Sequence, residues 1–482
     1  MTKKQIPPES DKNTETAVSG SPLRVTAAAA GAALILILGI YAFGVHYYSG
    51  RLFRNTRINN HKVGGMTVSE AERVFTDDLA SHEIILKEKD RTESIRAEDV
   101  GMVIDVGDRV KKVKDSQNKW KWFGSFFGSK ESDIKIDISY DEKKLTQVID
   151  DLECFVPENV TPPQNTYIQA GEKEFEIVPE VLGNTVKKKQ LSELVRKDLV
   201  SGVRTIDFEK EDLYKLPKYY QKDDVVKKAL KTANKYSHAK IVYNMEYTKE
   251  TLDYSKEKDW IVVSDNFAVT LDDSKVGDYV VKLGNKYNSM GLPRPFKTAN
   301  GNKITIVDGD YGWKIDFKKE KKKLLKDLKA GKDVERDPVY SYKGVVRKSR
   351  TDDIGDTYVE VSTEAQEVWM FVDGKCILNS SCVTGQPSKH AETTKGIYSL
   401  TFKKSPAVLT GPNADGSSYS SDVTYWMPFN GNQGLHDAPW RNGDFGGSIY
   451  KTNGSHGCVN LPVSTAKTIY EHIEKGDPVI IY

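Results

Sequence analysis

The chain has 482 residues, 38% of them hydrophobic, with 71 basic against 69 acidic side chains and a formal net charge of +2. That length gives room for about three domains with ordinary cores and excludes a disordered protein. Charges that nearly cancel exclude a global field favouring nucleic acid, and only four cysteines exclude a disulfide-rich scaffold.

Residues 1–24 read as a polar tail carrying Lys3, Lys4, Lys12 and Arg24. Residues 25–45, from Val25 to Val45, are uncharged and rich in Ala, Leu, Ile and Gly. A helix of about 21 residues crosses a hydrocarbon core of about 30 Å, so a transmembrane helix is predicted. A cleaved signal peptide is the competing reading, but the apolar run exceeds an h-region of about 7 to 15 residues and follows a long polar tail. Arg51, Arg54 and Arg57 come after the span, yet they lead into a long folded region that translocates largely regardless of charge. The expected orientation is N-terminus cytoplasmic, with the bulk of the chain outside.

Next, Thr67-Val68-Ser69-Glu70 forms a capping-box pattern before Ala71, Val74, Phe75 and Leu79 at helical spacing, which predicts a helix from about Val68. A search for self-similarity lays Ile177 to Gly202 over Ile306 to Gly331 at an offset of about 129 residues without gaps. In both copies a short strand and a glycine lead to a Lys-rich helix. Val195 and Leu199 of the first match Leu324 and Leu328 of the second, and Gly202 and Gly331 serve as C-terminal caps. Two α+β modules are read from this, residues 51–216 and 217–340. The lysines from Lys318 to Lys326, at helical spacing, read as a solvated face.

A polar stretch, Arg347 to Asp353, separates the second module from a β-rich region, residues 354–482. Tyr358, Glu360 and Ser362 alternate with Val359 and Val361, and a second run spans Val368 to Val372 after a turn at Glu364-Ala365-Gln366. Asp373-Gly374 marks another tight turn, followed by a strand from Lys375 to Thr384. Cys376 and Cys382 in that strand stand about 20 Å apart if it is straight, too far to bridge, so both are read as free thiols, and Cys154 as a small buried apolar residue. A helix beginning near Asn460 or Pro462 presents Ala466, Ile469, Tyr470 and Ile473 on one face and stops near Gly476; Pro478 to Tyr482 reads as a closing strand.

Within this region lie Gly434-Leu435-His436-Asp437 and Ser455-His456-Gly457-Cys458-Val459-Asn460. A thiolate attacks carbonyls, whereas an unperturbed thiol with a pKa of about 8.5 is mostly protonated at neutral pH, so an imidazole neighbour is what a nucleophilic cysteine needs. In an extended stretch His456 and Cys458 point the same way and Val459 points inward. His436 reaches the sulfur only through tertiary folding, and spacing does not decide which imidazole is the base. The same three side chains also suit zinc, with the thiolate and two imidazoles as ligands. His390, in a polar loop, reads as a surface histidine.

The pattern of a His, a gap and then Ser-His-Gly-Cys-x-Asn resembles the active site of the L,D-transpeptidases, the YkuD-domain cysteine enzymes that cross-link bacterial peptidoglycan. The resemblance runs from about Asp356 to Tyr482 and takes in Gln366, Thr384-Gly385 and Tyr425-Trp426-Met427-Pro428-Phe429. Thr393-Thr394-Lys395-Gly396 departs from the usual Thr-Pro-x-Gly, losing the proline that would fix the turn. Asn55 to Asn59 and Gly64 to Thr67, with the later helix and strand patterns, are similar to the peptidoglycan-binding type 4 domains that often precede such enzymes; stalk and glycan-binding roles both stay open for them. The resemblance implies a multidomain protein: a transmembrane helix, two α+β modules and a C-terminal, mainly β catalytic domain on the cell-wall side of the membrane.

It implies Cys458 as nucleophile, His436 as proton donor and acceptor, and Asp437 orienting His436 through its backbone carbonyl. His456 has a supporting role, and the backbone amides of Gly457 and Cys458 are oxyanion donors. Tyr425, Trp426, Trp440, Ser455 and Asn460 are candidates for substrate contact. The implied partners are peptidoglycan stem peptides and the cytoplasmic membrane, with carbapenems as inhibitors; no nucleic acid, metal or organic cofactor is called for. The implied reaction is 3→3 cross-linking through a thioester with release of D-alanine. An L,D-carboxypeptidase using the same site and a catalytically silent wall-binding scaffold are the alternatives.

Overall fold

A computed structural model describes residues 22–80, 82–412 and 416–482; Lys3, Lys4 and Lys12 of the expected tail lie outside them. Helix α1 (Pro22–Tyr47) covers the expected span. Its stretch Ala29–Tyr47 is long and apolar enough to cross a membrane, a test that a signal sequence near the N-terminus also passes. Leu34 to Leu38 are exposed along it, as a lipid-facing surface requires.

The chain forms two units, one of Met1–Gln164 with Val181–Lys218, the other of Asn165–Glu180 with Tyr219–Tyr482. In the first, α2 (Val68–Ala80) starts at the predicted capping box: Thr67 N–H donates to Glu70 Oε2 at 2.7 Å and Glu70 N–H to Thr67 Oγ1 at 3.2 Å. Ala71 and Phe75 bury its inner face beside Leu52, Ile58 and Val110. The chain continues through a hairpin, β1 (Glu83–Lys87) and β2 (Thr92–Arg96), a second hairpin, β3 (Tyr167–Ala170) and β4 (Phe175–Val178), helix α3 (Lys188–Ser201) and strand β5 (Thr205–Asp207). Strand β5 adds in parallel to β1, giving a three-stranded sheet whose Ile84, Leu86 and Ile206 share a core with Val195 and Leu199 of α3.

The second unit begins its own version of this plan with α4 (Asp224–Ser237), β6 (Ile241–Asn244) and β7 (Lys249–Leu252). It continues with the hairpin β8 (Arg294–Lys297) and β9 (Lys303–Ile306), α5 (Phe317–Ala330) and β10 (Val334–Arg336). Strand β10 adds in parallel to β6, as β5 does to β1. The offset seen in the sequence holds element by element, with Lys188–Ser201 against Phe317–Ala330 and Thr205–Asp207 against Val334–Arg336. Both helices end on a left-handed glycine, Gly202 at φ 79° and Gly331 at φ 66°, as the capping argument requires.

Two features depart from the expected organisation. The hairpin β3–β4, which precedes the boundary read at residue 216, lies in the second unit. Ile168, Phe175 and Ile177 pack with Val226, Ala229 and Ala233 of α4, and Asn234 exchanges hydrogen bonds with both backbone groups of Phe175. An isolated hairpin has no core of its own and finds one on the neighbouring helix. The stretch Arg347 to Asp353, read as a polar separator, is buried at its two ends: Arg347 is 6% exposed, and Asp353 is fully buried and accepts from Arg294 Nε at 2.6 Å, Arg294 Nη2 at 3.0 Å and Ser289 Oγ. Its partners are some 60 residues away in sequence, which is why local polarity misread it.

The C-terminal region supplies β11 (Tyr358–Ser362), β12 (Glu367–Val372), β13 (Lys375–Ser381) and β14 (Gly396–Ser399), then the hairpin β15 (Ala407–Pro412) and β16 (Ser418–Val423). It closes with β17 (Trp426–Asn430), β18 (Gln433–Asp437), β19 (Val459–Leu461), α6 (Val463–His472) and β20 (Pro478–Ile481). A five-stranded sheet in the order β13-β12-β11-β20-β14 and a three-stranded sheet β17-β18-β19 share one core with α6, including Val359, Met370, Phe429, Leu435, Val459, Ala466 and Ile469. The predicted closing strand is thus an interior one, parallel to β11 and antiparallel to β14. Hairpin β8–β9 covers the far side: Phe296 meets Tyr358 at 5.7 Å between ring centroids, and Ile306 and Tyr311 pack on Ile397 and Ile480. Cys376 and Cys382 are both free, the first exposed and the second buried. Their even spacing would put them on one face, but the register between β12 and β13 skips Ile377, and that bulge reverses the face.

Candidate active site

Strand β18 lies between β17 and β19, and its parallel pairing with β19 sets Leu435 opposite Val459 and His436 opposite Asn460. The two motifs, about twenty residues apart in sequence, are joined by this register. His436 is 4% exposed, between the rings of Trp426 and Trp440, each 5.9 Å away by centroid. Its Nδ1 pairs with the backbone carbonyl of Asp437 at 2.8 Å, which leaves Nε2 as the ring nitrogen without that tie. Burial pushes the imidazole below its ordinary pKa, against the pull of the Asp437 carbonyl. The Asp437 carboxylate faces away and accepts from Thr424 and Tyr425 N–H, so backbone rather than side chain orients the ring.

Residues 455–458 form a bend, which corrects the extended reading that would have put His456 and Cys458 on one face. Gly457 has φ 111°, a conformation that L side chains rarely adopt, and a Cβ there would meet Gln433 Nε2 at 2.8 Å. The bend is pinned from both sides. Ser455 Oγ donates to Cys458 O and accepts from Gly457 N–H at 3.1 Å, while Thr393 Oγ1 donates to Gly457 O at 2.9 Å and accepts from Gly385 N–H. Thr393 thus braces the motif within the segment that lacks the expected proline. Gln366 in turn exchanges hydrogen bonds with Thr384 at 2.6 and 2.9 Å, fixing the strand end beside it. The Gly457 amide, expected to face an oxyanion, is taken up by Ser455.

Cys458 Sγ sits 3.4 Å from Asn432 O and receives the Gly434 N–H. Burial pushes the thiol up to about 11, with the Gly434 amide alone opposing. His456 is exposed and stacked on Tyr419 of β16, centroids 5.0 Å apart at 16°. His436, His456, Cys458, Ser455, Asn460 and Trp440 all line one cavity of about 260 Å3. Asn460 Oδ1 is buried there with no partner among the described residues. Tyr425 and Trp426 are not in the lining: Tyr425 packs on Tyr470 of α6 at 5.1 Å, and Trp426 backs His436.

The cavity also includes residues that sequence reasoning passed over, namely Leu409, Tyr419 and Ser421 from hairpin β15–β16, Arg441, Asn453 and Lys389. Arg441 directly follows Trp440, which the pattern had singled out; the hairpin has no motif of its own. Tyr419, His456 and Lys389 also border a larger cavity of about 1100 Å3 lined by Gly385, Thr393 and Gln433, so the stacked pair stands between the two spaces. Among the described residues the donor trio brought together is Glu88, Glu93 and Cys154 in the first unit, not the motif's cysteine and histidines.

Comparison with known proteins bears on this geometry. The family model for the L,D-transpeptidase catalytic domain matches residues 356–481, and that for a "Putative peptidoglycan binding domain" matches 93–207 and 218–335. The crystal structure of a cysteine-to-serine mutant of the Enterococcus faecium L,D-transpeptidase is 33% identical, covering 53% of this chain and 100% of that one, with a TM-score of 0.44. The chain belongs to the L,D-transpeptidase family. The catalytic domain of the E. faecium L,D-transpeptidase acylated by ertapenem is 41% identical to this member of the family over 27% of this chain and 98% of that one, TM-score 0.25. L,D-transpeptidase 2 of Mycobacterium tuberculosis is 28% identical over 134 residues, 26% of this chain and 31% of that protein, so the chain spans about a third of that relative's length.

Proposed function

We propose that the chain is a membrane-anchored L,D-transpeptidase that forms 3→3 peptidoglycan cross-links, with residues 1–24 cytoplasmic, residues 25–45 of α1 spanning the membrane and the rest on the cell-wall side. The observation that carries the reading is the shared cavity: Cys458 Sγ and His436 line it together, and the Asp437 carbonyl engages Nδ1 so that Nε2 is the nitrogen left for proton transfer.

Cys458 attacks the carbonyl of the third residue of a tetrapeptide stem; as the S–C bond forms, His436 takes the thiol proton. The tetrahedral intermediate collapses, the C–N bond breaks, and the same proton passes to the departing amine of D-alanine, leaving a thioester. The side-chain amine of a neighbouring stem then attacks that thioester, gives a proton to His436, and the thiol is restored as the new amide forms. Since the Gly457 amide is occupied by Ser455 and the Gly434 amide by Cys458 Sγ, the Cys458 amide is the donor left for the developing oxyanion. His456, held by Tyr419, walls the cavity and has a supporting role; Trp440, Ser455 and Asn460 contact substrate. The strained ring of a carbapenem presents the same electrophile, and ertapenem acylates the related catalytic domain.

Water in place of the amine would make the protein an L,D-carboxypeptidase, and the two modules of residues 51–216 and 217–340 serve as stalk or glycan contact. The test is Cys458→Ala: cross-linking of disaccharide-tetrapeptide is lost entirely, and full retention would overturn Cys458 as the nucleophile, whereas a folded wild type that makes no product would leave only the wall-binding scaffold.

A further inference from the structure

Arg441 is the feature of the cavity that the reaction above does not use. It is 8% exposed, and its Nη1 donates to Asn453 O at 3.0 Å while Nε is buried with no partner. Among the described residues no carboxylate pairs with its guanidinium; Asp444, exposed and in the same loop, acts on it only through space. None of the cavity's described lining residues is acidic. The other full cation of the lining, Lys389, is exposed.

A buried guanidinium without an anion is unfavourable, because desolvation is not offset by pairing. Such a group is retained where an anion arrives with a ligand, and a planar fork of donors fits a carboxylate in two parallel hydrogen bonds. The cavity that holds the unmatched charge also holds Cys458 and His436, and it is small enough that its lining groups lie within reach of a single amino acid. In a stem that ends one residue beyond the attacked carbonyl, the terminal carboxylate stands only two bonds past the scissile nitrogen.

We propose that Arg441 is a carboxylate-binding site that reads the free C-terminus of the donor stem, making the enzyme selective for a stem ending at the leaving D-amino acid. This rests on the transpeptidase reading of the same cavity. Binding of the carboxylate places the departing amine toward His436 and neutralises the buried charge. It also disfavours a stem extended by another residue, whose amide at that position carries no charge and leaves the guanidinium unmatched.

The test compares two probes on the full-length protein in detergent: the tetrapeptide L-Ala-γ-D-Glu-X-D-Ala as free acid and as C-terminal amide, with X lysine or meso-diaminopimelate. Release of D-alanine or D-alaninamide gives kcat/KM for each. The wild type is expected to prefer the acid by about 30-fold or more, and Arg441→Gln to bring that ratio within about threefold, with Arg441→Lys between them. A wild type indifferent to the C-terminal charge would overturn the proposal, as would a variant that loses acid and amide alike at an unchanged ratio. A wild type that turns over neither probe would overturn the transpeptidase reading itself. Should Arg441→Gln not fold, the wild-type ratio and that of Arg441→Lys decide the matter.

Discussion

With its thiol pushed up to about 11 by burial, Cys458 rests protonated at neutral pH, and His436, lowered by burial, rests as neutral imidazole. In the proposed reaction the proton would therefore pass during attack, with no thiolate–imidazolium pair held in advance. Alkylation of Cys458 by iodoacetamide should rise about tenfold per pH unit from pH 7 to 9, since only the thiolate reacts; a plateau near neutrality would show a preformed ion pair. Asp437→Asn should keep acylation within about tenfold of wild type, because the carbonyl orients His436 and one side-chain oxygen, Oδ1, accepts from both Thr424 and Tyr425. A loss of the size seen when a triad carboxylate is removed would contradict this. Gly457→Ala should cost about 1 to 3 kcal/mol and most of the activity, given φ 111° and the contact with Gln433. The motif residues could be proposed from sequence because their chemistry is written in residue type. The bend at Gly457 and the occupied amide could not, since they depend on Ser455, Thr393 and Gly385, which the fold alone brings together.

Among the elements, the two hairpins β3–β4 and β8–β9 play matching parts, each packing on the structure that follows it in the chain: β3–β4 on α4, β8–β9 on β11, β14 and β20. The repeat behind this was legible, down to both glycine caps, because helix periodicity and left-handed glycine are local signals. Where each hairpin packs was not, because the contacts are long-range. The buried pair Arg294–Asp353 ties β8 to the segment before β11. Asp353→Ala would leave Arg294, 1% exposed, with an uncompensated charge, and should lower unfolding free energy by about 3 to 5 kcal/mol in denaturant titration. Glu257 is 1% exposed with both carboxyl oxygens unpartnered, and burial raises it to about 8. Its folded pKa lies above its unfolded value, so its contribution is full below about pH 4.5 and lost at about 1.4 kcal/mol per pH unit as pH rises toward 8. Glu257→Gln should therefore flatten the fall of Tm between pH 5 and 8, and an unchanged profile would contradict that assignment.

At the scale of the molecule, the second module and the catalytic region share one unit, with Glu360 fully buried between the Ala299 amide and the Tyr482 hydroxyl. Residues 354–482 alone should melt lower than residues 165–482, because Ile397, Ile480 and Glu360 lose their cover; equal Tm values would mean the interface contributes nothing. The alternation of Tyr358 to Ser362 predicted the strand, but not that both of its faces are covered. The central claim is that Cys458 forms a thioester with a stem peptide and passes it to an amine. Intact-protein mass spectrometry of residues 48–482 mixed with disaccharide-tetrapeptide, beside Cys458→Ala and with muropeptide products followed in parallel, tests it most directly. The account predicts a stem-sized adduct on the wild type alone together with 3→3 dimers; a folded wild type with neither adduct nor dimers would contradict it.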